Sequence, residues 1–167
     1  FNPYFHDQTT IVKELEKKSE LTEHAAEVSH VYFYGAGCST EELNKVVSGA
    51  LKQIFSAADV HVSHDLDGAA LATYTGEPHI AGILGTGSNS CFFDGKQIHE
   101  EVPALAYILG DEGSGSYYGK QLLADFLYRR MPSQLYSEFR DTYDLSKNAI
   151  MTAVYMRPHA NVYLASF

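Results

Sequence analysis

The stretch from residue 31 to residue 64 constrains what this chain can fold into more than any other. Val31-Tyr32-Phe33-Tyr34 is a continuous apolar run closed by Gly35-Ala36-Gly37. Such a run fits a strand at the centre of a parallel sheet, with both faces covered. Leu43, Val46, Val47, Ala50, Leu51, Ile54 and Phe55 then recur at helical spacing and make one broad apolar stripe. Asp59-Val60-His61-Val62-Ser63-His64 alternates, as a short strand does. Strand, amphipathic helix and strand in this order predict an α/β sheet with crossover helices. Ser39-Thr40-Glu41-Glu42 reads as a capping box, with Ser39 and Glu42 placed to satisfy the first free N–H groups of that helix.

On either side the pattern continues. Residues 1–8 predict a loop, because Pro3 restricts Asn2 to extended geometry. Residues 10–28 predict a polar surface helix with a thin stripe of Ile11, Leu15 and Ala25. Residues 67–72 start another helix, with Asp67 as its expected N-cap. Thr75-Gly76-Glu77-Pro78 is the clearest break and sets a domain boundary, giving residues 1–77 and 78–167. Beyond it, Ile80–Leu84 and Ser90–Phe93 predict strands around a glycine loop, and Asp94-Gly95 predicts a hairpin turn into 96–99. Residues 116–130 predict a helix with Tyr118, Leu122, Leu123, Phe126 and Leu127 on one face, followed by helices at about 133–140 and 145–156.

Composition narrows the function classes. A net charge of −9, with lysines and arginines scattered, argues against a nucleic-acid or anionic-membrane surface. Cys38 and Cys91 lack metal-ligand spacing and read as reduced thiols of a cytoplasmic protein. The histidines form no helical metal pair, so no metal ligand is assigned. No apolar run approaches the roughly 20 residues of a membrane-spanning helix. The chain begins at Phe1 and stops at Phe167, and both ends read as cut from a longer polypeptide.

Three clusters carry chemistry. Gly85-Thr86-Gly87-Ser88 follows an apolar strand, and its glycines let backbone amides converge on an anion. It reads either as a phosphate loop or as a plain hairpin turn, and it matches neither a Walker A loop nor a dinucleotide fingerprint. Asp65 lies just past the C-terminal end of the 59–64 strand, where open α/β sheets place ligands. A carboxylate there could orient an acceptor hydroxyl and take up its proton; an ordinary loop residue is the other reading. Gly110-Asp111-Glu112-Gly113-Ser114 reads as a helix start capped by Ser114 or Ser116, as a pair of acids facing a substrate, or as both.

In order and spacing, HDLDG (64–68), ILGTGSN (83–89) and LGDEGSGSYYG (109–119) resemble N-acetylglucosamine kinases. More broadly they resemble BadF/BadG/BcrA/BcrD-type ATPases of the sugar kinase/Hsp70/actin superfamily. The resemblance covers about residues 1–130. It implies an RNase H-like (actin-like ATPase) α/β fold, with parts of two domains around an interdomain cleft that holds ATP and Mg²⁺. It further implies Asp65 as catalytic base and Gly85, Thr86, Gly87 and Ser88 as the second phosphate loop. On the sugar side it implies Asn2, Gly35, Asp111 and, beside it, Glu112. The implied activity is phosphorylation of an amino sugar, N-acetylglucosamine at its 6-hydroxyl, with a small sugar and ATP as ligands and a homodimer as one open assembly state. A BadF-type ATPase that activates a partner enzyme and a non-catalytic sugar sensor are the alternatives.

Two departures qualify the match. The family's Gly-Gly-Trp-Gly run is replaced by Pro103-Ala104-Leu105-Ala106, which leaves the sugar open. The family's first phosphate hairpin would precede residue 1 and its adenosine loop would follow residue 167. The expectation is therefore that this chain alone is inactive.

Overall fold

The computed structural model describes residues 1–143 and 145–167 and is mixed α/β. It opens with α1 (Gln8–Glu16), α2 (Ser19–Thr22) and a short 3₁₀ turn at Ala25–Glu27, followed by β1 (His30–Gly35), α3 (Glu41–Ile54), β2 (Asp59–His64) and α4 (Asp65–Thr73). Then come β3 (His79–Leu84), β4 (Ser88–Phe93) and β5 (Ile98–His99), in a sheet of order β3-β4-β5. The rest is helical: α5 (Ala106–Leu109), α6 (Gly115–Leu127), α7 (Ser133–Tyr143), α8 (Lys147–Tyr155) and α9 (Ala160–Leu164). The chain divides into two compact units, Phe1–Ala81 with Phe92–His99 and Gly82–Cys91 with Glu100–Phe167. It passes between them inside β3, inside β4 and again after β5. No described helix is long and apolar enough to cross a membrane.

In the first unit β1 and β2 pair in parallel, from His30↔Asp59 to Gly35↔His64, and α3 is the connection between them. Expected as a central strand, β1 has β2 as its one hydrogen-bonded neighbour among the described strands. Val47, Ala50, Leu51 and Phe55 of the α3 stripe are buried with Ile11 and Leu15 of α1, while Val31, Phe33, Val60 and Val62 pack beneath them. Each large side chain so buried stabilises the unit by about 1.5–3 kcal/mol. The cap of α3 is Thr40, whose hydroxyl accepts the Leu43 N–H at 3.3 Å. Ser39 lies one residue too early, so the expected capping box does not form.

The polar helix expected over residues 10–28 is broken after Glu16. Ile11 and Leu15 give α1 its anchor, but Leu21 is exposed, and nothing apolar holds a third turn down.

The second unit has its own core of Leu123, Phe126, Phe139, Ile150 and Leu164. Phe126 stacks on Tyr136 and tilts against Phe139, both with ring centroids 5.0 Å away. Tyr118, expected on the buried face of α6, is 64% exposed. The other expected residues do face the core, Leu123 and Phe126 buried and Leu122 and Leu127 packed against them, and Ser116 and Gly119 are buried as well. At Gly119 the backbone of Leu164 in α9 occupies the space a Cβ would need, so α9 packs closely on α6 there.

Candidate functional site

Three of the sequence-predicted residues meet in the first unit, at the C-terminal end of the parallel pair. Gly35 pairs with His64, so Asp65 follows directly where β2 ends and α4 begins. The N-terminal loop reaches the same end: the Asn2 side chain fills the space beside Gly37, whose φ of +83° suits glycine. Asn2 Oδ1 also accepts the Tyr4 N–H at 3.0 Å, and its carbonyl accepts the Phe5 and His6 N–H groups. Cys38, in the turn after Gly35, is buried, and burial pushes its thiol pKa up. The nearby Asp65 carboxylate acts in the same direction, which keeps Cys38 a thiol and not a thiolate.

Asp65 is half-buried at the first position of α4, where the helix dipole favours a negative charge. His64, not Asp67, caps that helix: its Nδ1 accepts the Leu66 N–H at 3.3 Å. The same nitrogen lies 3.1 Å from Asp65 Oδ1. Asp67 has different company. It accepts a hydrogen bond from the Ser63 hydroxyl and lines a cavity with Tyr34, His61, Phe93 and Lys96. Asp65 does not line that cavity.

The other predicted residues meet in the second unit. The Gly85–Ser88 loop joins β3 to β4, with the Gly85 N–H donating to the Gly87 carbonyl at 2.9 Å. The start of α6 grips it from the side. Gly115 N–H donates to Gly85 O at 2.8 Å and Ser116 N–H to Thr86 O at 3.1 Å. The next two helix donors are also used: Tyr117 N–H by the Ser114 hydroxyl and Tyr118 N–H by the Ser114 carbonyl. This helix start therefore holds the loop and keeps no free amide for an anion.

Ser88 is fastened on both sides. Its N–H donates to Asp111 Oδ1 at 3.2 Å, and its hydroxyl donates to the Glu112 carbonyl at 3.0 Å. Glu112 thus enters through its backbone, with an exposed side chain. The Thr86 hydroxyl and the Gly87 N–H lie outside this network. A Cβ on Gly85 would meet only Gly87 O, at 3.9 Å, so the exposed side of the loop is open. An open loop with a hydroxyl and an amide to spare fits a phosphate oxygen. Among the described residues no three His, Cys, Asp or Glu side chains gather as cation ligands, so no residue is assigned to Mg²⁺.

Asp111 and Glu112 also line a cavity of ~480 Å³ within the second unit. Ser88, Asn89 and Ser90 form its polar side; Leu84, Val102, Pro103, Ala104 and Leu105 form its apolar side. Three residues of the Pro103–Ala106 run thus stand in this wall.

No family model matches the chain, and no curated protein matches it in sequence. Among solved structures it matches, over its whole length, one described as the "putative N-acetylglucosamine kinase" of Porphyromonas gingivalis, with 39% identity and a TM-score of 0.91. The mixed α/β fold is therefore that of part of the matched chain. The protein is related to that "putative N-acetylglucosamine kinase", and the chain spans 60% of its length.

Proposed function

We propose that this chain is part of an ATP-dependent sugar kinase that phosphorylates an amino sugar, N-acetylglucosamine at its 6-hydroxyl. The observation that carries the reading is the match of this whole chain, at 39% identity, to 60% of a structure described as a "putative N-acetylglucosamine kinase". On this reading residues 1–77 belong to one RNase H-like domain and 78–167 to a second, the two face each other across a cleft, and the enzyme is cytoplasmic. Its ligands are a small sugar and ATP, not nucleic acid or membrane.

ATP supplies the phosphoryl group and Mg²⁺ offsets its charge when bound. The chain's own residues do the rest. Thr86 and the Gly87 amide hydrogen-bond phosphate oxygens as charge shifts during transfer. Asp65 orients the acceptor hydroxyl and takes its proton as the new bond forms. Asn2 and Gly35 shape the acceptor side near Asp65, and Asp111 offers a carboxylate to sugar hydroxyls, with Glu112 beside it.

The test is ADP release by the full-length protein against a panel of amino sugars. Asp65→Asn should lower turnover at least about 10²-fold while ATP still binds. Retained turnover in that variant removes Asp65 from the role. Sugar-independent ATP hydrolysis would overturn the kinase reading in favour of an activating ATPase; sugar binding without turnover would favour a sensor.

A further inference from the structure

We propose that Asp111 is a positioning residue that clasps the Gly85–Ser88 loop and, through the same carboxylate, ties that loop to the occupant of the adjacent cavity. The second half rests on the kinase reading; the first half does not.

Four observations converge on this carboxylate. Asp111 has a φ of +60°, a left-handed conformation uncommon outside glycine, though one that Asp adopts more readily than most residues. Two bonds hold it here: Asp111 O accepts the Ser114 N–H at 3.0 Å, and Oδ1 accepts the Ser88 N–H at 3.2 Å. The carboxylate also lies flat against the loop. A Cβ added to Gly87 would come 2.8 Å from Oδ2 and 3.2 Å from both Cγ and Oδ1, so any side chain at 87 would push the clasp open. Finally, Asp111 lines the ~480 Å³ cavity. A carboxylate offers about four acceptor sites, and the Ser88 amide uses one.

The arrangement makes one group answer to two ligands. A hydroxyl in the cavity that donates to Asp111 steadies the carboxylate, which in turn steadies the Ser88 amide and the loop that carries Thr86 and Gly87. Loss of the clasp removes one of the two ties at Ser88, leaving its hydroxyl on the Glu112 carbonyl, so the β4 end of that loop loosens while α6 still grips Gly85 and Thr86. The acceptor would therefore help order the donor's loop before transfer.

The experiment compares Asp111→Asn, Asp111→Ala and Gly87→Ala in the full-length protein. The first readout is amide hydrogen exchange in peptides that contain Ser88, which needs no activity. Exchange there should quicken about tenfold or more in Asp111→Ala and Gly87→Ala, yet stay near wild type in Asp111→Asn, whose amide oxygen still accepts the Ser88 N–H. The second readout separates the ligands. Asp111→Asn should raise the sugar KM about tenfold with the ATP KM within about twofold, whereas Asp111→Ala should raise both. Unchanged exchange in Asp111→Ala and Gly87→Ala overturns the clasp, as does Asp111→Asn exchanging like Asp111→Ala. The expected exchange pattern without turnover on any sugar overturns the kinase reading and leaves the clasp standing.

Discussion

At the end of β2 one imidazole nitrogen faces two partners that cannot both be satisfied. A bare Nδ1 on His64 accepts the Leu66 N–H and caps α4. A protonated Nδ1 must donate instead, and Asp65 Oδ1 lies 3.1 Å away. Sequence reasoning passed over this histidine because Asp67 offers a commoner cap; the helix starts three residues earlier than that choice requires. A smaller, one-residue ambiguity of the same kind explains Ser39 and Thr40. Both hydroxyls precede the acidic pair, and the one that caps depends on where the backbone turns helical. Thr40 is the last extended residue, at φ −134° and ψ 158°. Thr40→Ala should therefore cost about 1 kcal/mol, while Ser39→Ala should stay within about 0.5 kcal/mol of wild type. Urea unfolding of the two variants decides it, and a larger loss for Ser39→Ala would return the cap to Ser39.

Elements with a long apolar period were legible: α3 and β2 lie where their patterns put them, and β1 and α6 differ by about a residue at their starts. Those without one were not. The four residues of α5 and five of α9 are too short to show a period, and α9 is entered through His159 in a left-handed conformation, at φ 62°. Its place depends on the groove Gly119 leaves on α6, a tertiary fact that local pattern cannot carry. The Asp94-Gly95 turn is the opposite case, since its geometry is local. Asp94 Oδ1 accepts the Lys96 and Gln97 N–H groups, each at 2.8 Å, and Oδ2 meets His99 Nε2 at 3.0 Å. The His99 hydrogen bond first, then the two backbone amides, lower its pKa from the ordinary 3.8 to about 2. A depressed carboxylate pKa stabilises the folded state fully above the unfolded value and loses that contribution as pH falls toward the folded one. Asp94→Asn should thus unfold at lower urea than wild type by a constant margin from pH 6 to about 4, and the margin should shrink below it. A margin that is the same at pH 6 and at pH 3 would mean the carboxylate's charge is not what holds the turn.

Across the molecule, the candidate residues were legible as types and spacings, but their grouping was not. Asn2, Gly35 and Asp65 gather in one compact unit because Gly35 and His64 share a register. Gly85–Ser88, Asp111 and Glu112 gather in the other because the start of α6 spends its amides on the loop's carbonyls. Hydrogen bonds between segments more than twenty residues apart leave no periodic trace, so the Ser88–Asp111 bond was invisible to spacing. Each unit also has a separate core, and no residue belongs to both clusters. That separation has a measurable consequence. Ile11 is fully buried in the first core and Ile150 is 3% exposed in the second. Ile11→Val and Ile150→Val each delete one buried methyl group, a loss of about 0.5–1.5 kcal/mol. Sites that share no packing partner should add, so the double variant should match the sum within about 0.5 kcal/mol. Urea denaturation of the two single variants and the double one measures the coupling directly. A coupling above about 1 kcal/mol would show that the two cores respond as one packed body.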